Sequence, residues 1–512
     1  MLLPHSLQNL LFLSLAVLFI CILALGVPSH KVTSHERVQN PVVTPKDVYC
    51  QTEACSGQVL IKLNKCPRSL KLDKLADGLS VFAGGEAGPN RLISVESVTS
   101  DCIFIAKSST KSVVDLMQIF EQIFKNQRHF KAMVNRSGAT NIVLKSFEPN
   151  FKMHVDVENF TSVSNPSRGM GFWWFSDADS GINAVTAWEE FGTGSEDVVV
   201  GVLDTGISEA NTALKKNLWR ADKPFRVMLG QNKVDCKRGA TGFDAVDSNS
   251  KQPCLPPAPN GHGTHVAGII SSSDEKGVGV NRKAKLMSLR VADATGGTCI
   301  SSVLKALDFA TQVQKKLGIK LRVLNNSYYV ATSCGNSLTM FRDYISDAGK
   351  QGMLFVASAG QTDDHYPQFR NNDCYPHYPS GFNDLPNVIS VTAIDQHGAF
   401  SNAFEETANY GKTTVSLGAP GSSILSTYLP SVSMYTTKTG TSMAAPFVSG
   451  TAALMLSVPG CSNLSVGRIK QEIMAGTVRT DALVDKTVTS GRLNVFNAIS
   501  RCAQKPFTQS RK

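Results

Sequence analysis

Several features that would point to other classes of protein are missing from this sequence. Its 51 Lys and Arg residues are scattered, with no run of five, so we interpret the net charge of +10 as a solvated surface and predict no nucleic-acid partner. No Cys-x-x-Cys pair or Cys/His cluster has zinc-ligand spacing, so we predict no structural zinc. No internal repeat or low-complexity tract is visible. The composition, 42% hydrophobic and 18% charged, is ordinary for a globular chain with a core.

Only residues 10–26 form a long uncharged apolar run, and no later segment is long and apolar enough to span a bilayer. This run is short for a membrane span and suits the core of a signal peptide, with small residues at Ala24 and Gly26 placed for cleavage after Gly26. The residues before the run contain no Lys or Arg, which leaves a signal anchor as the alternative. We therefore expect a secreted or secretory-pathway protein, attached to a membrane only if the leader is uncleaved.

Twelve cysteines agree with export, because oxidising compartments favour disulfides. Apart from Cys21 in the leader, four lie between Cys50 and Cys102 and seven between Cys236 and Cys502. The Cys-free stretch between the two groups suggests separate sets of bridges. The odd number in the second group leaves one cysteine free unless it pairs outside its group.

Four Asn-x-Ser/Thr triplets begin at Asn135, Asn159, Asn325 and Asn463 and predict a glycoprotein. Such triplets also arise by chance. Asn325 lies at the end of a predicted buried strand, so we discount it as an acceptor.

The pattern of apolar residues divides the chain into segments. Residues 1–26 are the leader, 27–49 a polar linker, 50–155 a small α+β unit with strands at 58–63 and 140–147 and a helix at 113–130, and 503–512 a short basic tail. From residue 171 to 502, continuous apolar strands alternate with helices. This predicts an α/β unit whose mainly parallel sheet is covered by helices on both faces. In such sheets, functional sites form at the carboxyl ends of the strands.

Three residues stand where that architecture places chemistry. Asp204 follows an apolar strand directly, although an Asp before Thr-Gly is also a common turn residue. His262 lies in a glycine-rich segment that opens an apolar helix, whereas His265 lacks the Glu and the spacing of a zincin and is assigned a packing or hydrogen-bonding role. Ser442 begins another helix, where unpaired backbone donors can stabilise an oxyanion, although an N-cap serine is the commoner use.

The segments around these residues read Val-Leu-Asp-Thr-Gly, Gly-His-Gly-Thr-His-Val-Ala-Gly and Gly-Thr-Ser-Met-Ala-Ala-Pro. Their sequences and their order, Asp then His then Ser, closely resemble the three signatures of the subtilisin family and differ from the order in chymotrypsin-like and α/β-hydrolase enzymes. The resemblance covers roughly residues 171–502. It implies a secreted serine endopeptidase in which Ser442 attacks the peptide carbonyl, His262 transfers the proton and Asp204 orients His262.

The resemblance also implies binding partners. The family binds a protein or peptide substrate as an extended strand between two edges, which match Gly296-Gly297-Thr298 and Asn325 to Tyr328 here. Residues 50–155 resemble the family's prodomain, which assists folding, blocks the site as an intramolecular inhibitor and is removed by cleavage, here expected within 151–172. The resemblance implies that the chemistry requires no cofactor. Members of the family often bind structural calcium, so calcium is possible here, although no ligands are assigned. The resemblance also implies a monomer.

Two departures from the family pattern bear on activity. Gln361 stands where the family has the Asn that donates to the oxyanion, and it carries the same amide one methylene further out. If the amide fails to reach, turnover falls about 100- to 1000-fold, and a peptide-binding pseudoprotease becomes the alternative function. The family usually has Ser-x-Gly-Gly at the wall of the pocket for the residue before the cut, whereas here Ser327 is followed by Tyr328 and Tyr329. The loss of both glycines either narrows this pocket or leaves the aromatic side chains packed elsewhere.

Overall fold

The computed structural model describes residues 54–65, 70–136, 142–155, 172–176, 180–273, 279–331, 338–403, 406–431 and 433–503. The predicted leader, the predicted linker and residues 504–512 of the tail lie outside these ranges. Within the described part of the chain, no helix combines the length and the apolar character needed to cross a membrane.

An N-terminal unit precedes a larger one. The elements of the N-terminal unit are β1 (Ala54–Leu63), α1 (Leu72–Phe82), β2 (Ser94–Ser97), β3 (Ile103–Lys107), α2 (Val113–Lys125), α3 (Gln127–Arg136) and β4 (Leu144–His154).

The larger unit follows the short 3₁₀ turn Trp173–Phe175. Its elements are α4 (Ala184–Phe191), β5 (Val198–Asp204), α5 (Thr212–Lys215), β6 (Phe225–Leu229), β7 (Asn232–Cys236), β8 (Gly242–Asp244), α6 (His262–Ile270), β9 (Lys285–Arg290), β10 (Gly297–Cys299), α7 (Ile300–Leu317), β11 (Lys320–Asn326), β12 (Val330–Ala331), α8 (Thr339–Lys350), β13 (Leu354–Ser358), β14 (Gln361–Asp363), β15 (His377–Tyr378), β16 (Val388–Ile394), β17 (Asn402–Ala403), β18 (Glu406–Ala408), β19 (Leu417–Pro420), β20 (Ile424–Thr427), β21 (Tyr435–Lys438), α9 (Thr441–Met455), α10 (Val466–Ala475), β22 (Val478–Arg479), β23 (Gly491–Arg492) and α11 (Val495–Ala503). Short 3₁₀ turns occur at Pro367–Arg370, Ser380–Phe382 and Asp481–Leu483.

The larger unit is built on a nine-stranded sheet in the order β22-β23-β19-β16-β13-β11-β5-β9-β8, with every pair parallel except β22 with β23. Alternate side chains of β5 enter two different cores: Val200 and Val202 pack in one with Phe447 of α9. Val199 and Leu203 pack in the other with helices α7 and α8. Helices therefore cover both faces of the sheet, which confirms the predicted α/β class.

The N-terminal unit is an antiparallel sheet in the order β4-β1-β3-β2, and β10 of the larger unit extends it at the β4 edge. One face packs on its own helices through residues such as Ile61 and Phe104. The other face contributes Leu60, Ile105 and Phe151 to the core that holds α7 and α8. The two units therefore share one continuous apolar core.

Two predicted elements of the N-terminal unit differ from the structure. The single helix expected at 113–130 is two helices, because Asn126 leaves helical geometry (φ −120°, ψ 70°) and ends α2. The strand expected at 140–147 begins at Leu144 and continues to His154. Pro149 is tolerated inside it because β10 pairs only from Lys152 onward, so the missing N–H lies at an unpaired edge.

Three disulfides join described residues: Cys55–Cys299, Cys236–Cys254 and Cys461–Cys502. Cys102 and Cys374 are also disulfide-bonded. The expectation of two separate sets of bridges is wrong, because Cys55–Cys299 joins the two groups. Cys299, from the odd-numbered second group, pairs outside that group.

Candidate active site

Two of the predicted residues meet in a buried hydrogen-bonded pair. Asp204 is the last residue of β5 and is fully buried, and His262 is the first residue of α6. The Nδ1 atom of His262 lies 2.8 Å from Oδ1 and 3.0 Å from Oδ2 of Asp204. Because a carboxylate only accepts, Nδ1 carries the proton and Nε2 is left as the basic nitrogen.

The residues around this pair explain its geometry. The Asn260 carboxamide oxygen accepts from the backbone N–H of His262 at 2.8 Å, which fixes the start of α6. The Thr205 hydroxyl accepts from the backbone N–H of Gly263 at 3.0 Å. A Cβ at Gly263 would stand 2.5 Å from the Gly206 carbonyl oxygen and 3.0 Å from Asp204 Oδ1, so only glycine permits this close approach.

Ser442 is the second residue of α9 and is 1% exposed. Its hydroxyl donates to the Ser327 carbonyl at 3.4 Å, and the Ser327 hydroxyl donates to the Ser442 carbonyl at 2.8 Å. The Nε2 atom of His262 is buried with no hydrogen-bond partner among the described residues. The Asp–His contact is thus in place, whereas the Ser442 hydroxyl is turned toward Ser327. Catalytic hydrogen bonds are often loose before substrate binds.

Gln361 opens β14 and is buried beside the start of α9. Its side-chain carbonyl accepts from the backbone N–H of Thr441, the residue before Ser442, at 2.8 Å. The amide group of Gln361 is therefore anchored next to Ser442, the residue expected to attack the substrate carbonyl.

The predicted peptide-binding edges are paired with a strand of the same chain, β4. On one side, β10 is antiparallel to β4, with Gly297 opposite His154 and Thr298 opposite Met153, and the Val155 N–H donates to the Gly296 carbonyl at 2.8 Å. On the other side, His154 exchanges backbone hydrogen bonds of 3.0 and 2.9 Å with Tyr329.

This pairing fixes the register of the cleft. Because His154 lies opposite Tyr329 in an antiparallel bridge, a strand residue two positions further along falls opposite Ser327. Ser327 is the residue whose carbonyl contacts the Ser442 hydroxyl. The position opposite Ser327 is therefore the one that lies next to the Ser442 hydroxyl.

The two tyrosines after Ser327 have different environments. Tyr328 is 1% exposed, and its hydroxyl donates to the Asn326 side-chain oxygen at 3.1 Å. Burial and the negative charge of Asp204 raise the pKa of Tyr328 well above its usual value. Asn325 is fully buried beside it, which agrees with discounting it as a glycosylation site.

Tyr329 is half-buried and stacks on His377 of β15, with ring centroids 5.0 Å apart. A Cβ at Gly360, which precedes Gln361, would lie 2.3 Å from Nδ1 of His377. Burial lowers the pKa of His377 to about 4. His377 thus stands between the binding edge and the Gln361 segment, and nothing in the sequence around it indicated this position.

His265 has the structural role predicted for it: it is fully buried, and its Nε2 donates to the carbonyls of Ile424 and Thr436 at 3.0 and 3.1 Å. Burial lowers the pKa of its imidazole well below the usual value. Among the described residues, no group of three or more His, Cys, Asp or Glu side chains could hold a metal ion. The sequence assigns no calcium ligands, and residues 274–278, which follow the helix that His262 opens, lie outside the described residues, so calcium stays a prediction.

Several known proteins are similar to this chain. The subtilase family model matches residues 195–493. Thermitase of Thermoactinomyces vulgaris is 31% identical over 264 residues, which cover 50% of this chain and 80% of thermitase. The major intracellular serine protease of Bacillus subtilis (strain 168) is 28% identical over 340 residues, 64% of this chain and 91% of that protein.

A solved structure is similar in fold. Fervidolysin from Fervidobacterium pennivorans, a keratinolytic enzyme related to subtilisin, aligns with a TM-score of 0.57 and 20% identity, over 89% of this chain and 62% of that chain. The family match and the identity to thermitase settle the class: this chain belongs to the subtilase family of serine-type endopeptidases.

Proposed function

We propose that Asp204, His262 and Ser442 form a catalytic triad that hydrolyses peptide bonds through an acyl-enzyme. The buried Asp204–His262 pair, with the Ser442 helix at the end of the peptide-binding edges, is the observation that carries the proposal. His262 Nε2 takes the Ser442 proton as the hydroxyl attacks, and later gives it to the leaving amine. Asp204 holds the tautomer and stabilises the imidazolium that forms.

Gln361 and the backbone N–H of Ser442 are the proposed oxyanion donors. The contact from Thr441 N–H to the Gln361 carbonyl supports this role, because it holds the amide beside the nucleophile. The same contact is the one observation that favours the alternative, a peptide-binding pseudoprotease, since it restrains a side chain that is one methylene longer than the family's Asn.

We further propose that the N-terminal unit is an intramolecular inhibitor that the triad itself cuts free from the following chain. Support comes from β4, whose Met153 and Val155 are buried in the cleft while Lys152 and His154 face outward. Extended substrates with apolar side chains at these alternate positions fit the same edges. A substrate strand that kept the register of His154 against Tyr329 would bring its second following residue opposite Ser327. In the sequence the second residue after His154 is Asp156, which lies outside the described residues, so we propose cleavage after Asp156.

Export and glycosylation belong to the same proposal. The disulfides support an oxidising compartment, reached through cleavage of the leader after Gly26 or through a signal anchor at 10–26. Asn463 is exposed, as an acceptor must be, whereas the side chain of Asn135 and the whole of Asn159 fall outside the description.

The test is expression of the full chain beside Ser442→Ala, followed by N-terminal sequencing. We expect the unchanged chain to yield a product beginning at Val157 and Ser442→Ala to stay intact. If both stay intact while folded and exported, self-cleavage has failed and the pseudoprotease becomes the leading function. Cleavage of both chains at one site would instead assign the cut to another protease.

A further inference from the structure

Among the described residues, one disulfide joins the two units, and it lies beside the cleft. Cys55 belongs to β1 of the N-terminal unit, and Cys299 is the last residue of β10, the edge that pairs with β4. Their Cα atoms are 6.3 Å apart, although they are 244 residues apart in the sequence. The bond is therefore a covalent link between the proposed inhibitor and the wall of the proposed active site.

The bond also crosses the strand that fills the cleft. In the sheet, β4 lies between β10 and β1. Cys299 is opposite Lys152 of β4, and Ala54, the neighbour of Cys55, is opposite Phe151. Withdrawing β4 sideways from β10 therefore requires either this bond to open or the sheet to come apart around it.

The interface that the bond secures is already well fitted. The side chain of Asn150 in β4 donates to the Ser301 hydroxyl and accepts from the backbone N–H of Ser301, each at 3.1 Å. The Asp308 carboxylate of α7 accepts from the Ser100 hydroxyl at 2.6 Å and from its backbone N–H at 2.7 Å. These polar contacts, beside the shared apolar core, favour a unit that stays docked after a cut elsewhere in the chain.

A covalent link raises the effective concentration of the N-terminal unit at the cleft. A tethered module acts at an effective concentration on the order of millimolar, roughly 10⁵ times that of a free fragment diluted to about 10 nM. Dilution or diffusion, which would release a free inhibitor, therefore has little effect on a linked one.

We propose that the N-terminal unit stays a covalently attached subunit of the mature protein, and that a dithiol reductant must open Cys55–Cys299 before the cleft admits a substrate. The second part of this proposal, that reduction admits substrate, rests on the proposed peptidase function. One thiolate of the dithiol attacks a sulfur of the bond, and Cys299 is the more exposed partner. The second thiolate then resolves the mixed disulfide. Two cysteine thiols form, and the two electrons leave the reductant as a new disulfide.

The link is tested without relying on self-cleavage. The full chain with Ser442→Ala receives a recognition sequence for a site-specific protease in place of residues 160–166 and is cut in trans. We expect one linked species on a non-reducing denaturing gel and two fragments after dithiothreitol. The same chain with Cys55→Ser is expected to separate without reductant, whereas the matched Cys236→Ser/Cys254→Ser chain stays linked. Two fragments from the parent chain without reductant would overturn the inference.

The activity arm uses the self-processed chain with Ser442 present. After dilution, dithiothreitol is expected to raise hydrolysis of an extended peptide at least about 10-fold. The Cys55→Ser chain should be active without reductant and gain little from it, which separates this bond from the other disulfides. Equal activity of the two chains without reductant overturns the gating. A chain that neither processes itself nor hydrolyses peptide under any condition refutes the proposed function, while the gel still decides the link.

Discussion

Replacing Gln361 by Glu tests the proposed oxyanion donor, because it removes the amide N–H with little change in the shape of the side chain. The carboxylate keeps an oxygen for the Thr441 N–H, which lies 2.8 Å from the present side-chain oxygen, so the start of α9 stays anchored. What is lost is the amide N–H, and a negative charge arrives next to the developing oxyanion. Loss of one such donor costs about 100- to 1000-fold, or about 2.7–4 kcal/mol of transition-state stabilisation.

The assay is the first-order rate constant of self-cleavage after refolding, because that step needs no released enzyme. Gln361→Glu is expected to cut at least about 100-fold more slowly than the unchanged chain, with a similar melting temperature. Gln361→Asn, which restores the family's amide, should stay within about 10-fold, and Ser442→Ala gives the background. If Gln361→Glu cleaves within about 10-fold of the unchanged chain, Gln361 is not an oxyanion donor and the reasoning from the Thr441 contact is refuted.

Three further predictions concern the cleft and its occupant. Burial of Glu148 against the start of α8 raises the pKa of its carboxyl group to about 8. The folded state therefore favours protonated Glu148. The contribution of Glu148 to the free energy of unfolding is complete below about pH 4.5 and is lost as the pH rises through 8. The melting temperature of Ser442→Ala should therefore fall more between pH 5 and 8.5 than that of Ser442→Ala with Glu148→Gln, and parallel pH curves would contradict the assignment. His377→Gly removes the ring stacked on Tyr329. On a Cys55→Ser background, the ratio of kcat/KM for a peptide with Phe before the cut to that for a peptide with Ala there should rise about 10-fold or more. An unchanged ratio would place His377 outside the pocket. Gly263→Ala forces a Cβ to 2.5 Å from the Gly206 carbonyl and should cost about 1–3 kcal/mol of stability together with self-cleavage, whereas a stable, fully active variant would show that α6 can shift away from Asp204.

The parts of the site that could be predicted are those encoded locally. The apolar run before Asp204 predicts a buried strand that ends at the carboxylate, and the glycines around His262 indicate the close approach that the structure shows. The covered parallel sheet follows from the same kind of pattern. Each of these conclusions needs only neighbouring residues.

What could not be predicted depends on residues far apart in the chain. The length of β4 is set by pairing with β10, which lies far along the chain, whereas the sequence predicts a strand that stops at residue 147. Cys55 pairs with Cys299 because two units meet, which spacing does not encode. His377 reaches the cleft through a short antiparallel pairing with β12, so no nearby residue marks it.

The joining of β4 to β10 also bears on solubility. An unpaired strand edge is a template for any extended chain, including another copy of the same protein. While β4 is in place, both cleft edges are hydrogen-bonded and offer no such template. Loss of the N-terminal unit would expose two parallel lines of backbone donors and acceptors at once. On the proposed function, the strand that blocks substrates therefore also covers two edges that could pair with other chains.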